Sequence, residues 1–144
     1  MNCLSINIQG AGNVEKREWI RSLCNKLKIN FLTIQETKTE TVDNFTVRSM
    51  WGNPNFSYEW SPARGQSGGI WIIWNPLLIQ KTHVVVHEWY ILLEAVWVPT
   101  GQSVSFISVY APQALDRKRR LWELLTKEIG DPPRVCVLMG DFNE

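Results

Sequence analysis

The sequence is poor in cysteine, histidine and net charge, and each shortage removes a class of protein. Cysteine occurs three times, at Cys3, Cys24 and Cys136, an odd number spread far apart. No C-x-x-C pair exists, so neither a disulfide framework nor a zinc knuckle is indicated. The thiols read as free and buried, in a reducing compartment. The N-terminus lacks a basic-then-apolar leader pattern, so the expected location is nuclear or cytoplasmic and not secreted. No stretch approaches the roughly 18 unbroken apolar residues of a membrane span, and no membrane partner is expected.

Charge is equally uninformative in bulk. Fifteen Lys+Arg against fourteen Asp+Glu leave +1, which gives no global field for nucleic acid. Such a partner must be held by a local patch. Histidine occurs only as His83 and His87. Their four-residue separation is that of a helical zinc pair, but three consecutive valines between them argue for a strand. There they would point the same way roughly 13 Å apart, too far for one ion. A solvated strand face is the expectation.

What is present is a core. The chain has 144 residues, 44% of them hydrophobic, enough for one domain over 1–144 and too much for a disordered chain. Short apolar runs alternate with turn signals. Leu4–Gln9 alternates apolar and polar, which predicts a half-buried strand. Asn13 is placed to cap a helix whose buried stripe is Trp19, Ile20, Leu23 and Leu27. Phe31–Gln35 reads as a strand ending at Glu36. Residues 44–62 are dense in turn residues and read as loops with a strand near Phe56–Trp60. Gly69–Trp74 is apolar on both faces, as in a strand between two layers. Further strands are expected at Thr82–His87, Ile91–Val98 and Val104–Tyr110. A helix over about 114–129 would bury Leu121, Trp122, Leu125 and Ile129 and stop at Asp131-Pro-Pro133. A last buried strand, Val135–Met139, leads into Gly140-Asp-Phe-Asn143. Strands with interspersed helices predict an α/β layered sandwich.

Four polar groups fall at predicted strand ends, where open sheets carry their chemistry. Asp141 and Asn143 lie two apart after a strand and share a side if the chain continues extended, while Gly140 would let a ligand approach the backbone. Taken alone, this is also the composition of a plain turn. Glu36 ends the second strand, Asn7 faces away from Leu4, Ile6 and Ile8, and Tyr110 ends a strand with a hydroxyl able to meet an oxyanion. Each of these three has an ordinary structural reading: a solvated charge, an outward strand residue, an aromatic at a sheet edge.

Together they form an ordered series. The segments Leu4-Ser-Ile-Asn-Ile-Gln-Gly10, Ile34-Gln-Glu-Thr-Lys38, Ser67-Gly-Gly-Ile70, Val109-Tyr-Ala-Pro112 and Met139-Gly-Asp-Phe-Asn143 resemble the endonuclease/exonuclease/phosphatase (DNase I-like) superfamily. The details resemble most the endonuclease domain of plant LINE-type (non-LTR) retrotransposons. The resemblance implies the N-terminal part of a two-sheet α/β sandwich and a Mg²⁺- or Mn²⁺-dependent phosphodiester hydrolase. It implies that Glu36 and Asn7 hold the ion. Asp141 would activate or orient the attacking water, Asn143 would help position it, and Tyr110 would meet the scissile phosphate. DNA is the implied partner, nicked at an insertion site to prime reverse transcription. If the frame continues, a reverse transcriptase in the same polyprotein is a further implied partner.

Two departures accompany the resemblance. Gln9 stands where many relatives carry Arg, and the family's domain runs on past the Gly-Asp-Phe-Asn motif to a further Asp and a Ser-Asp-His motif. The chain is therefore expected to be an incomplete domain, marginally stable on its own. An inactive remnant, or another phosphodiesterase or phosphatase of the superfamily, stays open as an alternative. So does a retained DNA-binding module, which would rest on Arg117-Lys-Arg-Arg120; that run suits phosphates, nuclear import or a solvated helix face. Lys38 and Arg64 are expected at the mouth of the site. Trp19, Trp71, Trp74, Trp97 and Trp122 are read as core packing.

Overall fold

The computed structural model describes residues 1–130 and 135–144, and the proposed Asp131-Pro-Pro133 helix stop lies outside them. Among the described residues, eight strands and three helices follow the order β1 (Cys3–Asn7), α1 (Val14–Leu27), β2 (Phe31–Gln35), α2 (Asn44–Trp51), β3 (Ser57–Ser61), β4 (Ile70–Trp74), β5 (Ile79–Val86), β6 (Tyr90–Trp97), β7 (Gln102–Tyr110), α3 (Leu115–Ile129) and β8 (Cys136–Asp141). Two four-stranded mixed sheets result, ordered β1-β2-β4-β3 and β5-β6-β7-β8. The parallel pairs β1–β2 and β7–β8 are each joined through a helix, as a parallel crossover requires. Among the described residues no helix is long and apolar enough to cross a membrane.

The period-two alternation of side chains builds the layers. On β4, Ile70, Ile72 and Trp74 face the other sheet, while Trp71 and Ile73 face α1 and α2. On β6, Ile91, Leu93 and Ala95 point between the sheets, and Tyr90 and Leu92 point toward α3. All five residues of β2 and of β4 are buried, as the doubly apolar run of β4 predicts. Phe31 stacks on Phe106 across the sheets with ring centroids 4.3 Å apart. The molecule is an α/β sandwich with helices on both outer faces.

One seam between the sheets is polar. Thr33 and Ser108 share a hydroxyl–hydroxyl hydrogen bond, the Gln35 amide donates to the Thr33 hydroxyl at 2.9 Å, and Ser5 donates to Gln35 Oε1 at 3.3 Å. Thr33, Gln35 and Ser108 are all buried, and buried polar groups persist where they satisfy one another. This chain fixes the end of β2 against β7.

Several expectations need correction. Residues 44–51 form α2, not loop: Asp43 caps it by accepting from the Thr46 N–H at 2.7 Å, and Val47, Met50 and Trp51 are buried. The buried face of α1 is set by Ile20 and Cys24, whereas Trp19 and Leu27 stand 55% and 46% exposed. Trp122 is likewise 39% exposed on α3; its ring stacks on Phe142 instead of entering the core. β8 is not fully buried. It is an edge strand among the described residues, half-buried along its length, with Leu138 exposed. Finally, β5 ends at Val86, so His87 lies in the following turn and not beside His83 on a strand face.

Candidate active site

β1 and β8, the outer strands of different sheets, end beside each other. Asn7, last residue of β1, donates from Nδ2 to Asp141 Oδ2 at 2.7 Å, joining residues 134 positions apart. Asn7 Oδ1 accepts the Gln9 N–H at 3.2 Å, so both ends of the amide are engaged. β2 runs parallel to β1 with Asn7 opposite Gln35, and the Gly10 N–H binds the Glu36 carbonyl at 2.8 Å. Glu36 therefore follows directly beside Asn7. Its backbone has left-handed φ, as do Gln9 and Lys38, and its carboxylate pairs with Lys38 Nζ at 3.3 Å.

The Ser67-Gly-Gly segment backs this turn. The N–H groups of Thr37 and Lys38 donate to the carbonyls of Gly69 and Gly68 at 3.3 and 3.0 Å. A β-carbon on Gly69 would come 2.2 Å from the Thr37 hydroxyl, so glycine is required there.

Asp141 and Asn143 are brought together, but by a turn and not by strand alternation. β8 stops at Asp141, and Asn143 has φ of 50°, a region Asn tolerates better than most residues. Three bonds hold it. Its N–H donates to Asp141 Oδ1 at 3.0 Å, its Nδ2 to the Ala111 carbonyl at 2.6 Å, and its carbonyl accepts from Lys118 Nζ. The basic run thus divides: Lys118 is half-buried and structural, Arg117 lines the cleft, and Arg120 pairs with Glu123 at 3.2 Å. Gly140 serves the backbone too. With φ of 141°, it presses against β7 so closely that a β-carbon would lie 2.0 Å from the Val109 carbonyl oxygen. The close approach is to a neighbouring strand.

Tyr110 ends β7 opposite Asp141. Burial, then the charges of Glu36 and Asp141, push its hydroxyl above the ordinary tyrosine value. It stays protonated and able to donate at neutral pH. The five sequence-predicted residues converge here. Beside them opens a cleft of about 520 Å³, lined by Glu36, Tyr110 and Asn143 and by Arg64, Trp89 and Arg117 among others. Arg64 reaches the mouth as expected and pairs with Glu88 at 3.3 Å.

Glu88, Trp89 and Gln113 also line the cleft and were not singled out from the sequence. The signal for Trp89 was available, since the β5–β6 turn ends level with the terminus of β7. Tyr90 pairs with Val109 in register, and the Tyr110 N–H donates to the Trp89 carbonyl at 2.9 Å.

Among the described residues no group of three or more His, Cys, Asp or Glu side chains is placed to hold a metal. The donor set that does converge consists of the Glu36 and Asp141 carboxylates and the Asn7 amide, all hard oxygen donors. One or two carboxylates with the balance made by water is what Mg²⁺ prefers, so the residues fit that ion. They do not fit a closed zinc site.

An α/β sandwich with an amide–carboxylate centre at the junction of its two sheets defines a class of protein. The chain belongs to the endonuclease/exonuclease/phosphatase family, whose model matches residues 2–144. Its fold is shared with solved structures of low identity. The catalytic domain of APE2 from Xenopus laevis superposes with a TM-score of 0.72 at 15% identity, over 100% of this chain and 59% of that one. TDP2 from C. elegans gives 0.72 at 14% identity, over 98% and 47%. The 3′ phosphatase NExo from Neisseria, solved with a product DNA hairpin, gives 0.68 at 19% identity, over 97% and 57%. The chain therefore spans about half the length of the structures it resembles. No curated protein matches it.

Proposed function

We propose that the chain carries metal-binding and water-orienting residues of a divalent-cation-dependent phosphodiesterase acting on DNA. The observation that supports this best is the Asn7–Asp141 hydrogen bond, which unites two outer strands of different sheets around one carboxylate. Glu36, with Asn7 beside it, would hold a Mg²⁺, which would supply charge stabilisation for the phosphate and leaving oxygen.

The chain's own groups do the rest. Asp141 has one oxygen fixed by Asn7 and the other by the Asn143 N–H. Each oxygen keeps acceptor capacity, so the carboxylate can take a hydrogen bond from an attacking water in a set orientation. Asn143 spends an Nδ2 hydrogen on Ala111, which leaves its Oδ1 as an acceptor for the same water. Tyr110, whose hydroxyl is pushed above its ordinary value by burial and then by the charges of Glu36 and Asp141, donates to a phosphate oxygen as charge develops there. The family membership and the DNA bound to one structural relative favour this reading.

The finer proposal, a target-site nickase of a LINE-type retrotransposon, is supported by the ordered motif series from Leu4 to Asn143; a nuclear or cytoplasmic setting is proposed with it. A plasmid-nicking assay on the full translation product of the transcript tests the chemistry. Nicking that needs Mg²⁺ or Mn²⁺ and disappears in Asp141→Ala and Glu36→Gln is expected. No nicking by the wild type, or undiminished nicking by Asp141→Ala, contradicts it. The frame downstream of Glu144 tests the finer claim, with reverse-transcriptase motifs expected and an unrelated domain contradicting it.

A further inference from the structure

The cleft beside the carboxylate centre combines an aromatic ring with cations, and the proposed phosphodiester chemistry uses neither. Trp89 is half-buried on the wall carrying Tyr110. Its backbone is fixed at both ends: the N–H donates to His87 Nδ1 at 3.1 Å, and the carbonyl accepts from the Tyr110 N–H at 2.9 Å. The two backbones are thus one strand spacing apart, about 5 Å. Among the described residues the only ring contact of Trp89 is an edge-type meeting with His87, centroids 5.1 Å apart at 61°. Among the described residues it has no stacked aromatic partner, and the half-buried side chain packs against the cluster that holds Tyr90 and Val109. Trp122, by contrast, is already stacked on Phe142.

Arg64 and Arg117 line the same cleft. The Arg64 side chain is 78% exposed in its pair with Glu88, a surface contact that a phosphate can displace at little cost. Arg117 makes no ion pair among the described residues. A volume of about 520 Å³ falls in the range of pockets that enclose a small ligand, which accommodates a nucleobase. A flat ring flanked by arginines is the chemistry that holds unpaired nucleic acid, since every base offers a π-face and every link a negative charge.

We infer that Trp89 is a base-stacking platform, and that the cleft takes a DNA strand with an unpaired base next to the reacting phosphate. The ring holds that base while Arg64 and Arg117 hold flanking phosphates. Rigid attachment of Trp89 to Tyr110 sets the register between the stacked base and the bond to be broken. A fully paired duplex, whose bases are stacked on one another, cannot use the platform. This inference rests on the DNA reading above and names the form of DNA that suits the site.

The test is fluorescence anisotropy with a labelled single-stranded oligothymidine and, separately, a blunt duplex, without divalent cations so that nothing is cut. Trp89→Leu keeps apolar bulk and loses the aromatic face, whereas Trp89→Phe keeps a face, so the pair separates stacking from folding. Trp89→Leu should weaken single-strand binding by about tenfold and Trp89→Phe by much less. The salt dependence should stay as in the wild type, and duplex binding should not change. Arg117→Ala should instead flatten the log–log salt slope by about 0.7. Single-strand binding by Trp89→Leu equal to wild type would overturn the platform while leaving the DNA reading standing. No binding of either DNA by the wild type would overturn both.

Discussion

Replacing Gly140 with alanine strikes the fold and the site at once. The new methyl would sit 2.0 Å from the Val109 carbonyl oxygen and within 2.8 Å of two further Val109 backbone atoms, at φ of 141°. Backbone cannot swing aside as a flexible side chain can, so β8 must leave β7. The damage is capped by what β8 contributes. Val137 and Met139 pack half-buried against the inter-sheet core, and half of the roughly 1.5–3 kcal/mol for burying each is lost. A few ladder hydrogen bonds at about 0.5–1.5 kcal/mol net add to this. The expected destabilisation is about 4 kcal/mol, in the tail reserved for steric or cavity defects. Urea unfolding followed by tryptophan fluorescence measures it, and the Asn7 side-chain amide resonance should move as Asp141 departs. A midpoint change worth less than about 0.5 kcal/mol, typical of an innocuous surface change, would refute the reasoning.

Three further perturbations follow. Lys118→Met removes the charged donor to the Asn143 carbonyl, a bond type worth about 1.5–3 kcal/mol; amide exchange at Asn143 should accelerate by at least about tenfold, and unchanged exchange would contradict the clamp. Thr33→Val leaves the Gln35 amide and Ser108 hydroxyl without their buried partner. A loss of about 1–3 kcal/mol in a urea titration is expected, and a neutral or stabilising result would show that the polar seam is dispensable. His87 is held below its ordinary value of 6.5, by burial first and by Arg64 and Arg120 against the opposing pull of Glu88 and Glu128. The unfolded chain therefore takes up the proton first as pH falls below 6.5, so the stability linked to neutral His87 is fully present above that value and declines beneath it. Between about pH 7 and about pH 5 the wild type should lose more stability than His87→Phe, and the Trp89 amide should titrate with it. Parallel pH profiles of the two proteins would remove His87 from the account.

The layers were legible because period-two alternation and doubly apolar runs report directly on which faces of a strand are covered. β2, β4, β6 and β7 follow that rule, and the positions of Asn7, Glu36, Tyr110 and Asp141 at or directly after strand ends were readable. α2 was hidden because eight residues with two aromatics and β-branched members carry little helical periodicity, although the Asp43 cap three residues before Thr46 was a visible signal. Trp19 and Trp122 were misplaced for another reason. A large apolar residue on a two-layer helix can sit one position off the buried stripe, where α1 uses Ile20 and Cys24 and α3 uses Leu121 and Leu125.

The site misreadings share one cause, which is that sequence spacing does not report tertiary neighbours. Gly140 proved to be needed for strand contact. Lys118 left its basic run to hold a carbonyl, and Trp89 joined the cleft because the β6–β7 register sets it beside Tyr110.

The central claim of the proposal is that Glu36, with Asn7 beside it, holds a divalent cation next to Asp141. Titrating Mn²⁺ into isotope-labelled protein and following paramagnetic broadening tests it without requiring catalysis. Broadening should begin at Asn7, Glu36, Tyr110 and Asp141, should be competed by Mg²⁺, and should vanish in Glu36→Gln. Broadening centred elsewhere, or undiminished in Glu36→Gln, would contradict the account.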